Sequence, residues 1–82
     1  MRRLLPLPYA TFGGDVCIQP EHVCAVRCVV YKDTGEYGIS VYLPYEILDS
    51  KRVQADDDEA MKRMRKAWDD VLDMLRIALE SE

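Results

Sequence analysis

Apolar residues in the last third of the chain recur at helical spacing. Met61, Met64, Trp68, Val71, Leu75 and Ala78 stand three, four, three, four and three positions apart, which puts all six on one stripe of an α-helix. Leu72 and Leu79 widen the stripe on one side, and Ala60, Ala67 and Met74 widen it on the other. The pattern predicts one long amphipathic helix over 56–82. Acids open it: Asp56 and Glu59 have the spacing of a capping box, and carboxylates suit the positive end of the helix dipole. Opposite charges four apart support its length, in Asp58–Lys62, Glu59–Arg63, Lys66–Asp70 and Arg76–Glu80.

Before residue 56 the period shortens to two. In Val23–Tyr31, one face carries Cys24, Val26, Cys28 and Val30, and the other carries Val23, Ala25, Arg27, Val29 and Tyr31. Both faces are mostly apolar, which predicts a central strand covered on both sides. Lys32–Glu36 reads as a hairpin loop in which Gly35 supplies the positive φ of a bulged turn. Tyr37–Leu43 returns, with Tyr37, Ile39, Val41 and Leu43 on one face, and Pro44 ends it. Segment 45–53 is either an edge strand or a covering loop. Nearer the start, Leu4–Pro8 suits an extended edge segment, because proline cannot donate to a ladder. Tyr9–Phe12 is a candidate short strand, Gly13-Gly14-Asp15 a turn, and Val16–Ile18 an extended run, together a first hairpin. Pro20 is placed to start a single helical turn at 19–22. The expected fold is α+β: one domain over 1–82, with a small antiparallel sheet of three to five strands in 1–55 and the long helix in 56–82.

About 25 helical residues span roughly 37 Å, whereas a strand of seven to nine residues spans about 23 to 30 Å. The helix is therefore expected to overhang its sheet, or to cross several strands and run on beyond them. The 55 residues that precede it look too few to cover so wide a stripe. An 82-residue domain has a marginal core, and oligomerisation is a common remedy. These points predict a homo-oligomer, with Met61, Met64, Trp68, Val71, Leu72, Leu75 and Leu79 at the partner or oligomer interface.

Composition narrows the class. The chain is 49% hydrophobic and 32% charged, a folding composition rather than a disordered one. No apolar run approaches a membrane span. The opening Met1-Arg2-Arg3-Leu4-Leu5 is basic and then apolar, but Pro6 and Pro8 interrupt it where a secretory signal needs a longer stretch; a cytoplasmic protein is expected. Cys17, Cys24 and Cys28 make an odd count, which argues for reduced, partly buried thiols. On a strand, Cys24 and Cys28 lie about 13 Å apart, too far for a disulfide or a shared metal ion. The net charge of −4 sits wholly on the helix segment: residues 1–55 carry six acids and six bases, and residues 56–82 carry nine and five. That disfavours nucleic acid as a partner.

No catalytic constellation emerges. His22 beside Glu21 is a conceivable base with no nucleophile set next to it by any motif. Asp56-Asp57-Asp58 lacks the calcium-loop pattern, and Gly13-Gly14 lacks the remainder of a phosphate loop. Neither a metal nor a cofactor is expected. Lys62, Arg63, Arg65 and Lys66 are the densest basic cluster. They read as a solvated helix face or, more sharply, as a patch for an acidic partner or a phosphate-bearing ligand, which Arg2, Arg3, Arg27, Lys51 and Arg52 join if the fold brings them close. Tyr31 and Tyr37 flank the hairpin loop as a candidate cross-strand pair. Tyr42 with Arg27 is a candidate stacking spot of the kind found at interfaces. Trp68 is either core or the anchor of a subunit contact.

Asp15–Val26, with Gln19-Pro20-Glu21, Val23 and Val26 in register, followed by Ile39-Ser40-Val41-Tyr42-Leu43, resembles the flagellar FlbD-type proteins and similar small β-domains encoded by bacteriophages. Their pattern is a strand, Asn/Gln-Pro-Asp/Glu, a second strand, a V-x-L strand and a closing helix, and about 30 residues here follow it. This chain differs in its longer helix and in the extra segment 45–55. The resemblance implies a phage- or mobile-element-encoded protein that binds and inhibits a host protein. It implies, as alternatives, an oligomeric sponge for a small nucleotide signal of host defence, or a small transcriptional or flagellar regulator.

Overall fold

The computed structural model describes residues 4–13 and 16–80, with only the backbone of Tyr9 and Ala10. Arg2, Arg3, Gly14 and Asp15 lie outside the described residues. The chain forms β1 (Leu5–Pro6), α1 (Tyr9–Phe12), β2 (Cys17–Ile18), a 3-10 turn (Pro20–His22), β3 (Ala25–Tyr31), β4 (Glu36–Tyr42), β5 (Ile47–Asp49), β6 (Val53–Gln54) and α2 (Asp58–Glu80). This is the expected α+β arrangement of antiparallel sheet and C-terminal helix.

β1 and β2 pair antiparallel, Leu5 with Ile18, so the first hairpin forms. Its connection holds a helical turn where a strand was expected. The Pro8 carbonyl accepts from the Thr11 and Phe12 N–H groups at 3.2 and 2.9 Å, and Gly13 ends the turn at φ 70°, the left-handed cap that glycine adopts without a Cβ clash. Proline at position 20 starts the 3-10 turn as its fixed φ predicts.

The second sheet is centred on β4. On one side β3 pairs along its whole length, from Ala25–Tyr42 to Tyr31–Glu36. On the other side β5 and β6 share the edge. β3 is therefore an edge strand, not the central strand its two apolar faces suggested. On the face away from the helix, Tyr31 reaches across to Gly38 of β4, its ring 3.2 Å from where a Cβ would stand. Segment 45–53 resolves into a broken edge strand. Ser40 pairs with Asp49 but Tyr37 pairs with Val53, so three residues, 50–52, oppose two, 38–39. This is a β-bulge. Ser50 closes it: its N–H donates to the Ile39 carbonyl at 2.8 Å, and its hydroxyl accepts from the Ile39 N–H at 2.8 Å. Without that hydroxyl a buried backbone donor would be orphaned.

The cap of α2 is Asp57, one residue later than the capping-box reading: its Oδ1 accepts from the Ala60 N–H at 3.1 Å. The line that faces the sheet is Ala60, Met64, Ala67, Val71, Leu75 and Ala78. It is rotated from the expected stripe toward the alanines, because small side chains let the helix approach the sheet while Met61 and Trp68 spill to one side. Ile39, Met64 and Ala67 form one cluster, with Tyr37, Val53, Met61 and Trp68 packed around it. Val41, Leu43, Val71 and Leu75 join Leu7 and Ile18 of the first hairpin in the other. The helix thus runs off the four-stranded sheet onto the β1–β2 hairpin, and the chain itself covers the overhang. Each fully buried side chain, such as Ile39 or Val71, contributes roughly 1.5 to 3 kcal/mol.

Candidate functional site

A helix lying over one strand leaves two flanks, and here they differ. The flank toward β3 carries Met61, Arg65, Trp68, Leu72 and Leu79, positions that follow one another at spacings of three, four and seven along the helix. A groove of about 250 Å³ opens between it and the sheet, lined by Cys28, Tyr37, Met61, Met64, Arg65 and Trp68. Leu72 and Leu79 continue the apolar strip, 40% and 52% exposed, and Val30 on β3 is 50% exposed. Beside the groove runs the open edge of β3. Seven residues, Ala25–Tyr31, bring only one charge, Arg27, and no proline to that edge, although such edges are ordinarily blunted by charge, proline or a bulge.

The flank toward β6 is cationic. A cleft of about 380 Å³ lies between α1, the bulge and the first turns of α2, with Lys51, Arg52 and Arg63 among its walls and Asp57 as the one carboxylate among its described lining residues. The basic cluster 62–66 is consequently divided. Arg63 joins Lys51 and Arg52 here, Arg65 lines the opposite groove, Lys62 lies with Asp58 and Met61 at a shallow hollow, and Lys66 pairs with Asp70 at 3.1 Å. Of the four ion pairs read four apart, Lys66–Asp70 forms, while Arg76 turns to Asp73 at 3.3 Å.

The outer face of the sheet carries two stacked pairs. Arg27 lies over the Tyr42 ring at 5.6 Å, which brings together the two residues singled out in the sequence. Arg52 lies over Tyr31 at 3.8 Å, with Glu36 at 3.9 Å from its guanidinium and the Gln54 amide donating to Glu36 at 3.1 Å. Tyr31 and Tyr37 are not a cross-strand pair: the four-residue loop sets Tyr31 opposite Glu36 and Val30 opposite Tyr37, so the two tyrosines point to opposite faces. Between the stacks, the Ser40 hydroxyl donates to Asp49 at 2.6 Å.

The expected interface residues separate into three groups. Met64, Val71 and Leu75 are buried against the chain's own core; Met61 and Trp68 are partly buried; Leu72 and Leu79 are exposed. Met64 is buried against Ile39 of the sheet, and Val71 and Leu75 are buried because the first hairpin reaches under the second half of α2. All three cysteines are exposed, where partial burial was expected, because Cys17 and Cys28 lie on edge strands. His22 packs edge-on against Tyr45, with ring centroids 6.4 Å apart, and its Nδ1 is buried without a partner among the described residues. Among the described residues no cluster of His, Cys, Asp or Glu is arranged to hold a metal ion, and no helix is long and apolar enough to cross a membrane.

Sequence reasoning missed Thr11, Ser50 and the pairing of Lys51 with the far flank. One signal was present. Leu48 and Val53 both face the helix, opposite Val41 and Tyr37, yet they stand five apart, and an odd spacing on one face requires an extra residue between them.

These features define a small α+β domain with an open strand edge and a cleft on either side of one helix. Compared with protein families, curated proteins and solved structures, the chain has no match.

Proposed function

We propose that the chain is a non-enzymatic protein-binding module that associates with a second copy of itself through the open edge of β3 and the adjoining flank of α2. The observation that carries this reading is the undefended edge beside an apolar groove. Its unpaired backbone groups call for a strand, and the side chains around it call for apolar cover. A second copy fits because the helix-side face of β3 reads Val26, Cys28, Val30, the same from either end. Antiparallel pairing centred on Cys28 sets all seven residues opposite a partner residue, valine against valine. In such a pair the two β4 strands stand about 14 Å apart, and helices over them are too far apart for alanine contact but within reach of Met61, Trp68 and Leu72 from each side.

This places association on the flank of the helix rather than on its central stripe. The resemblance to small phage-borne proteins supports a host protein as the further partner, engaged by the assembled pair.

Light scattering at two concentrations tests the pairing, together with oxidation of a variant that keeps Cys28 as its only cysteine. A stable dimer and a rapid disulfide through Cys28 are expected, since opposed strand residues have Cα separations within the disulfide range. A monomer at both concentrations, or a dimer in which Cys28 does not cross-link, overturns it.

A further inference from the structure

The cleft on the other flank stands apart from that interface. We propose that it binds a small organic phosphate, with the phosphoryl group held by Lys51, Arg63 and Thr11 and the organic body resting on Val53 and Met64.

Charge is the first argument. In a chain of net charge −4, this cleft gathers three cations against one carboxylate among the described residues. The carboxylate is already engaged, since Asp57 caps the Ala60 N–H at 3.1 Å. Arg52 is engaged too, stacked on Tyr31 at 3.8 Å. Lys51 and Arg63 form no ion pair among the described residues, so the cleft presents two uncommitted cations, the donor set suited to a phosphate's several oxygens.

Thr11 adds a neutral donor to the same wall. It is 8% exposed, it lines the cleft, and its hydroxyl has no hydrogen-bond partner among the described residues. That hydroxyl is not among the side-chain atoms sealed from water without a partner, so it is open to the cleft it lines and can donate to an oxygen ligand there.

The site is also held in place. The Lys51 N–H donates to the Thr11 carbonyl at 2.8 Å, which ties the bulge to α1. A Cβ on Gly13 would stand 3.4 Å from the Lys51 Cε, so the glycine leaves that side chain room to lie over the end of α1. Volume sets the ligand class. A space of about 380 Å³ exceeds what a phosphate alone fills and lies in the range of small-molecule sites, and its apolar wall offers nothing to an inorganic anion.

The test is titration calorimetry on the full chain with pyrophosphate and with adenosine diphosphate, at ionic strength matched with sodium chloride. The R63Q and K51Q variants are measured beside R65Q, which removes an equal charge from the opposite flank. Saturable binding of the diphosphate nucleotide is expected, tighter than pyrophosphate, weakened about tenfold by R63Q or K51Q and unchanged by R65Q. Because Arg63 and Lys51 are exposed, their replacement leaves the fold intact, and a melting curve checks this. Absence of saturable binding overturns the proposal. Equal loss in R65Q overturns it as mere charge attraction, and pyrophosphate binding as tightly as the nucleotide overturns the organic ligand.

Discussion

The two long edges of the four-stranded sheet belong to the same central strand system and lie under the same helix, yet they are finished in opposite ways. On the β5–β6 side a bulge, a serine hydroxyl and an arginine stacked on tyrosine close the edge with polar groups. On the β3 side no described residue pairs with the edge. The helix mirrors the difference, with Arg63 toward the closed edge and Met61, Trp68 and Leu72 toward the open one. An amphipathic stripe alone therefore does not locate a binding surface. What locates it is which edge of the sheet the chain has already satisfied.

The largest effect is expected where the closed edge is undone. Ser50→Ala leaves the buried Ile39 N–H without the acceptor it holds at 2.8 Å, and an orphaned buried donor costs about 1 to 3 kcal/mol. Urea denaturation should show that loss with the denaturant slope unchanged. A loss under about 0.5 kcal/mol, the usual range for a neutral surface change, would mean that the bulge does not depend on the hydroxyl. A smaller effect is expected one residue pair away. Arg52→Gln removes the guanidinium from the Tyr31 ring, 3.8 Å distant, and an exposed cation–π contact contributes about 0.5 to 1 kcal/mol. Salt should not diminish that difference much, because the Glu36 contact is long, at 3.9 Å, and contributes little. A difference that vanishes at high salt would assign it to Glu36 instead.

The asymmetry between edges explains what could be read in advance. Local chemistry was legible. Gly35 takes φ 73° in the loop, Pro20 starts its turn, and Ile39, Val41 and Leu43 are buried on one face as their alternation required. Partner choice was not. The periodicity of β3 is that of a strand with apolar neighbours on both faces, and no periodicity states whether a strand lies at a given edge. Likewise the heptad located the stripe but not its centre, because Ala60 and Ala67 rank low in hydrophobicity yet allow the closest approach to the sheet. The cationic cleft was legible only as a list: Lys51, Arg52 and Arg63 line one cleft because the bulge at 50–52 lies beside the first turns of α2, and a bulge is a property of register.

The sharpest way to break the comparison leaves stability nearly untouched. Val30 is 50% exposed on β3, so Val30→Lys removes little buried surface and should shift stability by no more than about 0.5 kcal/mol. It also sets a charge on the helix-side face of the open edge, opposite Val26 in the proposed self-pairing, where a lysine is the usual device against strand addition. The variant should therefore melt with the wild type at low concentration and yet run as a monomer where the wild type is paired. If it stays paired, the contact runs through the helix strip of Leu72 and Leu79, and the open edge of β3 is not the surface that sets association.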